Sequence, residues 1–119
     1  MNSKNECTTF IRPVRDVIDI IGGKWKLPIL IALAFGNHRF NELEKAVEGI
    51  TPKMLSKELR DLEMNHLVQR TVYDTIPVAV EYSLTPYGKT LDVVIASLRD
   101  WGQNHRNKIF NKTEKEPEV

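Results

Sequence analysis

Lys53, Lys57 and Arg60 stand at i, i+4 and i+7 of one segment, with Ser56 among them and Thr51 just ahead. At about 100° per residue these three cations fall on one side of a helix. Leu55, Leu59 and Leu62 fall on the opposite side, and the acids Glu58, Asp61 and Glu63 take the flanks. The segment has no net charge, yet one stripe of it is wholly basic and hydroxylic. Such a stripe can hold phosphates by charge-assisted hydrogen bonds and reach acceptor atoms on guanine, because the major groove of DNA admits a single helix. Thr51, Lys53, Met54, Ser56 and Lys57 are then candidates for groove contact and Arg60 for the phosphate backbone. Backbone N–H groups at the start of the helix can hold a further phosphate. The same stripe also suits an ordinary solvated helix face, so the neighbouring elements must discriminate.

Those elements form a recognisable series. Thr51-Pro52 is a helix start, with threonine as N-cap and proline at the first helical position, and the helix is expected over 52–65. Ahead of it lies a short helix over 40–47, buried through Phe40, Leu43 and Val47, and a tight turn at Gly49-Ile50. Behind it come two runs of strand character, 67–73 and 78–84, joined across 74–77. In the second run Val80, Tyr82 and Leu84 share one face while Ala79, Glu81 and Ser83 share the other. Further upstream, residues 1–12 read as a flexible arm. Pro13 opens a helix carrying Val14, Val17, Ile18 and Ile21, closed by Gly22-Gly23. A second apolar helix is expected over 24–34, with Pro28 tolerated in or beside its first turn. Thr85-Pro86 repeats the start signal and opens one long helix to about residue 110. The polar stretch 111–119 reads as a disordered tail. The predicted fold is mainly α with a small β-hairpin: a winged helix-turn-helix over 13–110.

Two parts of this outline bear on partners. The tip of the hairpin, 74–78, has no Lys or Arg, so Arg70, Thr71 and Thr75 are expected to make only modest backbone contacts. A last helix of ~25 residues is about 37 Å long, longer than so small a domain can cover. Its apolar positions, Leu91, Ile95, Leu98, Trp101, Ile109 and Phe110, together with His105, are therefore candidates for a dimer interface. The simplest partner is the same helix of a second copy. A homodimer would present two recognition helices to half-sites about 34 Å apart.

Composition narrows the alternatives. The 119 residues allow one domain with one core, and the net charge of +1 means that any positive face must arise by segregation. The longest apolar run, 27–35, is shorter than the roughly 20 residues a membrane span needs, and 1–15 lack the apolar core of a signal peptide, so the cytoplasm is expected. His38, His66 and His105 lack the spacing of a metal site, and Gly22-Gly23-Lys24 lacks that of a phosphate-binding loop. No nucleophile, base and orienting group can be assembled, so neither catalysis nor a cofactor is expected. The single cysteine, Cys7, excludes an internal disulfide. With Lys4 and Arg12 near it in sequence, it reads either as a redox sensor or intersubunit link, or as an inert residue on the arm. Trp25, Phe35, Tyr82 and Trp101 read as core or as the lining of a small-molecule effector site. A rival from another class stays open: a protein-interaction module on the same fold, favoured by the near-neutral charge and the acidic hairpin tip.

Several blocks in order carry a family resemblance. They are Ile20-Ile21-Gly22-Gly23-Lys24-Trp25, Arg39-Phe40-Asn41-Glu42-Leu43, Gly49-Ile50-Thr51-Pro52-Lys53-Met54-Leu55, Leu59-Arg60-Asp61-Leu62-Glu63, and Pro77 with Val80 through Gly88. Over residues 13 to 102 the chain resembles the HxlR-type, MarR-like winged helix-turn-helix transcriptional regulators. The resemblance implies a homodimer built mainly from terminal helices, bound to double-stranded DNA at an inverted-repeat operator. It places Thr51, Pro52, Lys53, Met54, Ser56, Lys57 and Arg60 on the recognition helix. Lys24, Arg39 and Arg70 fall where auxiliary backbone contacts belong. Two positions depart from the family pattern. Members typically carry Cys directly before the proline that opens the first helix, where this chain has Arg12, and Pro28 replaces an apolar residue.

Overall fold

The computed structural model describes residues 4–111. Its elements are α1 (Lys4–Ile21), α2 (Lys26–Ala34), α3 (Phe40–Ala46), α4 (Pro52–Met64), β1 (Val68–Tyr73), β2 (Ala79–Leu84), α5 (Pro86–Lys89) and α6 (Asp92–Phe110). They form two compact units, one running through Lys89 and the other from Thr90 onward. In the first unit α2 is the hub, touching α3, α4 and β2. Ile29, Leu30 and Leu33 of α2 meet a core completed by Leu43, Leu55 and Leu62 among others. Pro28 is the third residue of α2, where its missing N–H has no intrahelical partner to lose.

The hairpin pairs antiparallel from Val68 opposite Leu84 to Tyr73 opposite Ala79. Val68 and Tyr82 are buried, which fixes that end of the hairpin to the core; Val72 and the tip residues Ile76 and Val78 stand in the open. The loop before α3 adds one residue to the free edge of β2, since His38 and Tyr82 exchange backbone hydrogen bonds of 3.0 and 2.8 Å. Gly49, at φ +90°, makes the turn between α3 and α4, a conformation that L side chains rarely adopt.

Three expectations are corrected. Residues 4–12 are not an arm: α1 runs unbroken from Lys4, and Pro13 lies inside it instead of opening it. The stretch after Thr85-Pro86 is not one long helix, because it is interrupted at Thr90-Leu91 between α5 and α6. At Gly88 a Cβ would come within 2.2 Å of the Leu67 carbonyl oxygen, so α5 lies against the backbone just ahead of β1. Thr85 fastens the same corner: its hydroxyl donates to the His66 carbonyl at 2.6 Å and accepts from Gly88 N at 2.8 Å. Of the tail expected over 111–119, all but Asn111 lies outside the described residues, as do residues 1–3 of the arm. Among the described residues no helix is long and apolar enough to cross a membrane.

Candidate nucleic-acid interface

The open surface of this unit is built on α4. Thr51 accepts a hydrogen bond from Met54 N at 3.2 Å, which satisfies one of the unpaired N–H groups of the first turn. Pro52 follows as the first helical residue. Leu55, Leu59 and Leu62 are 0, 2 and 0% exposed, so the leucine side of the wheel is sealed against the domain. That fixes the rotation of the helix about its axis. Lys53, Ser56, Lys57 and Arg60 are left exposed together, with Thr51 and Met54 at the leading end. The structure thus brings together all seven residues placed on this helix from the sequence.

Two of the three flanking acids, Glu58 and Asp61, are met by a lysine from beneath. Lys26, the first residue of α2, contacts Glu58 at 2.5 Å and Asp61 at 3.4 Å. Lys57 reaches the same Asp61 oxygen at 3.0 Å along the helix. Partial burial opposes charge on Lys26, but the hydrogen bond and charge of Glu58, reinforced by Asp61, outweigh it and raise its pKa. The hydrogen bond from Lys57 dominates at Asp61 and, with both lysine charges, holds its carboxyl below the usual carboxylate range despite slight desolvation. Lys53 and Arg60 have no ion pair among the described residues. Lys26 was absent from the sequence candidates, because its partners lie more than thirty positions away and no local spacing signals them.

The auxiliary positions scatter in quality. Arg39 precedes α3 and is exposed; its backbone N–H donates to the Glu42 carboxylate at 2.7 Å, which leaves the guanidinium at the surface. Lys24 is exposed, its ammonium 4.8 Å from the centre of the Trp25 ring. Arg70 is exposed on β1. Thr71 is half-buried and sits opposite Glu81, and the Thr75 hydroxyl donates to the Pro77 carbonyl at 2.7 Å. The Thr75 hydroxyl is therefore already engaged, and Thr71 lies beside an acidic residue. Tyr73 donates to Glu81 at 2.9 Å, and that hydrogen bond to the carboxylate raises the phenol pKa.

The remaining candidates lie elsewhere. Cys7 is exposed on α1. In the second unit Leu91 and Ile95 are half-buried, while Leu98, Trp101, His105, Ile109 and Phe110 are exposed along α6. Trp101 stacks on His105 with ring centres 5.2 Å apart, and Arg106 lies over Phe110 at 5.2 Å. Of the aromatic residues considered for an effector site, Tyr82 is in the core, Trp25 half-buried and Phe35 88% exposed, so these three share no enclosed environment. Among the described residues no group of three or more His, Cys, Asp or Glu side chains is placed to hold a metal ion.

Comparison with known proteins places this geometry. The model of the HxlR-like helix-turn-helix family matches residues 20–110. The HTH-type transcriptional regulator YdeP of Bacillus subtilis is 46% identical over 97 residues, which cover 82% of this chain and 76% of YdeP. The reduced form of the redox regulator HypR superposes with a TM-score of 0.78 at 39% identity, covering 83% of this chain and 98% of HypR. A MarR-family transcriptional regulator from Enterococcus faecalis V583 superposes with a TM-score of 0.74 at 33% identity, covering 93% of this chain and 96% of that one. With a capped, leucine-locked helix, a hairpin behind it and these relatives, the chain is a winged helix-turn-helix transcriptional regulator rather than an enzyme, and it belongs to the HxlR-like helix-turn-helix family.

Proposed function

We propose that two copies of this chain grip an inverted-repeat operator, with α4 of each in the major groove and Lys24, Arg39 and Arg70 on flanking phosphates. The observation that carries this reading is the open stripe of Lys53, Ser56, Lys57 and Arg60 on a helix whose rotation three buried leucines fix. The second copy is supported by the large apolar side chains that α1 and α6 each leave exposed, among them Phe10, Ile18, Trp101 and Phe110. The test is fluorescence anisotropy on DNA from upstream of the gene and of its neighbours, against a scrambled duplex, over a range of salt. The expected result is sequence-preferring binding whose log affinity falls with log salt by about 0.9 per phosphate neutralised. Lys53→Ala with Lys57→Ala should abolish most of it in a protein that stays folded. Affinity equal on all duplexes and indifferent to salt would favour the interaction-module reading, which the +1 net charge and the cation-free hairpin tip support.

A redox signal acting through Cys7 is a second reading. Cys7 is exposed, and one similar structure is named a redox regulator. Oxidant should then yield a disulfide-linked dimer on a non-reducing gel together with altered operator affinity. A Cys7→Ser protein that responds to oxidant as the parent does would rule it out.

A further inference from the structure

One oxygen, Oδ2 of Asp61, is shared by two lysines that differ in freedom. Lys57 approaches it at 3.0 Å from one turn back on the same helix, and its side chain is 64% exposed on the stripe with Lys53 and Arg60. Lys26 approaches it at 3.4 Å from α2, and its side chain is only 14% exposed. Lys26 is also anchored at 2.5 Å by Glu58, itself 12% exposed. Lys57 can swing outward to a phosphate by giving up Asp61, whereas Lys26 cannot follow.

That asymmetry matters at a DNA surface. If Lys57 left Asp61 with no second cation at hand, a bare carboxylate would remain on the flank of a helix facing a polyanion. Like charge there disfavours binding, and the strength of the abandoned pair would oppose the move as well. A fixed ammonium beside the same oxygen, though shared with Glu58, offsets part of both penalties. Resting on the DNA-binding reading above, we propose that Lys26 is a positioning residue for operator binding. It keeps Asp61 compensated so that Lys57 can exchange this carboxylate for a phosphate, and it touches no DNA itself. The helix is neutral by count, and its cations are freer to meet DNA because two of its three flanking acids, Glu58 and Asp61, share Lys26 from within the domain.

A mutant cycle tests this on the duplex that the wild-type protein enriches from a randomised pool. Glu58→Gln is carried throughout, so that loss of Lys26 strands no part-buried carboxylate. In that parent Lys26→Met should weaken binding by about threefold per subunit, hence about tenfold for a dimer, the range of a partly exposed ion pair. The salt slope should flatten by about one per subunit, since Lys57 stays with Asp61. Once Asp61→Asn is added, Lys26→Met should cost nothing, and Lys26→Arg should bind as the parent does. An equal loss with and without Asp61 would overturn the proposal, because it means that Lys26 contacts phosphate directly or only clamps α2 to α4. No loss in either background overturns it too. Should the Lys26→Met protein fail to fold, Asp61→Asn alone decides: the exchange predicts binding at least as tight as the parent's, and weaker binding sinks it. If the wild-type protein enriches no duplex at all, the DNA-binding reading itself has failed, an outcome distinct from each of these.

Discussion

Helices α4 and α1 carry the same kind of pattern and come to opposite ends. In α4 the apolar side is fully covered and the polar side is free, so the helix is a rigid presenter of cations. In α1 the residues Cys7, Phe10, Ile11, Val14, Val17, Ile18 and Ile21 occupy about 120° of the wheel, an apolar stripe running its whole length. Yet only Ile21 is buried, and Phe10, Val14 and Ile18 are 58, 50 and 59% exposed. Helical periodicity says which face is apolar and is silent on what covers it. For α4 the cover is the chain's own α2 and β1. A second copy is the cover proposed for α1, and covering the exposed half of each such side chain would contribute roughly half of the ~1.5–3 kcal/mol for full burial, before the cost of association.

The largest expected effects test that division. Leu62→Ala in α4 should lower unfolding stability by about 2–5 kcal/mol, the range for a fully buried leucine, and urea titrations should give the same loss at every protein concentration. Val14→Glu with Ile18→Glu in α1 should leave helical content intact by circular dichroism while sedimentation shifts from dimer to monomer. Operator affinity should fall with it, since one half-site then binds without the other. A double variant that still sediments as a dimer would mean that α1 is not part of the interface.

How far the sequence was legible follows from the range of the interactions involved. The α4 stripe was readable because everything that defines it is local: Thr51-Pro52 at the start, leucines every three or four residues, cations opposite. The hairpin was readable through the alternation of Val80, Tyr82 and Leu84. The start of α1 is not legible locally, because a proline ordinarily marks a first helical turn. Here the apolar stripe passes through Pro13 unbroken from Phe10 to Val14, and the helix tolerates the lost N–H donor. The close approach of Gly88 to the Leu67 backbone, beside the break at Thr90-Leu91, spans twenty-one positions. Lys26 and the His38–Tyr82 bridge are of the same long-range kind, and no spacing rule reaches them.

A smaller effect is expected at the leading end of α4. Thr51→Ala removes the acceptor for Met54 N and should cost about 1 kcal/mol of stability. Because this turn is the one proposed to enter the groove, operator affinity should fall by more than stability alone explains. Equal affinity for this variant and the parent, both fully folded, would confine Thr51 to a structural role.

The smallest effect concerns the polar side of α4 and has a defined sign. The hydrogen bond from Lys57, with the nearby lysine charges, depresses the pKa of Asp61 in the folded chain, so the unfolded chain takes up a proton there first as pH falls. The stability that Asp61 contributes is therefore fully present above the unfolded carboxylate value of about 3.9 and is lost as pH drops through the lower folded value. The side chain is 36% exposed, so solvent screening keeps the contribution below about 1 kcal/mol. Unfolding curves for the parent and Asp61→Asn should differ slightly at pH 7 and converge below pH 4. Added salt should shrink the difference at pH 7, which the burial of Leu62 would resist. A gap that persists unchanged to pH 3 would show that the Asp61→Asn change perturbs packing, and that the ion pairs along α4 contribute nothing measurable to holding it in place.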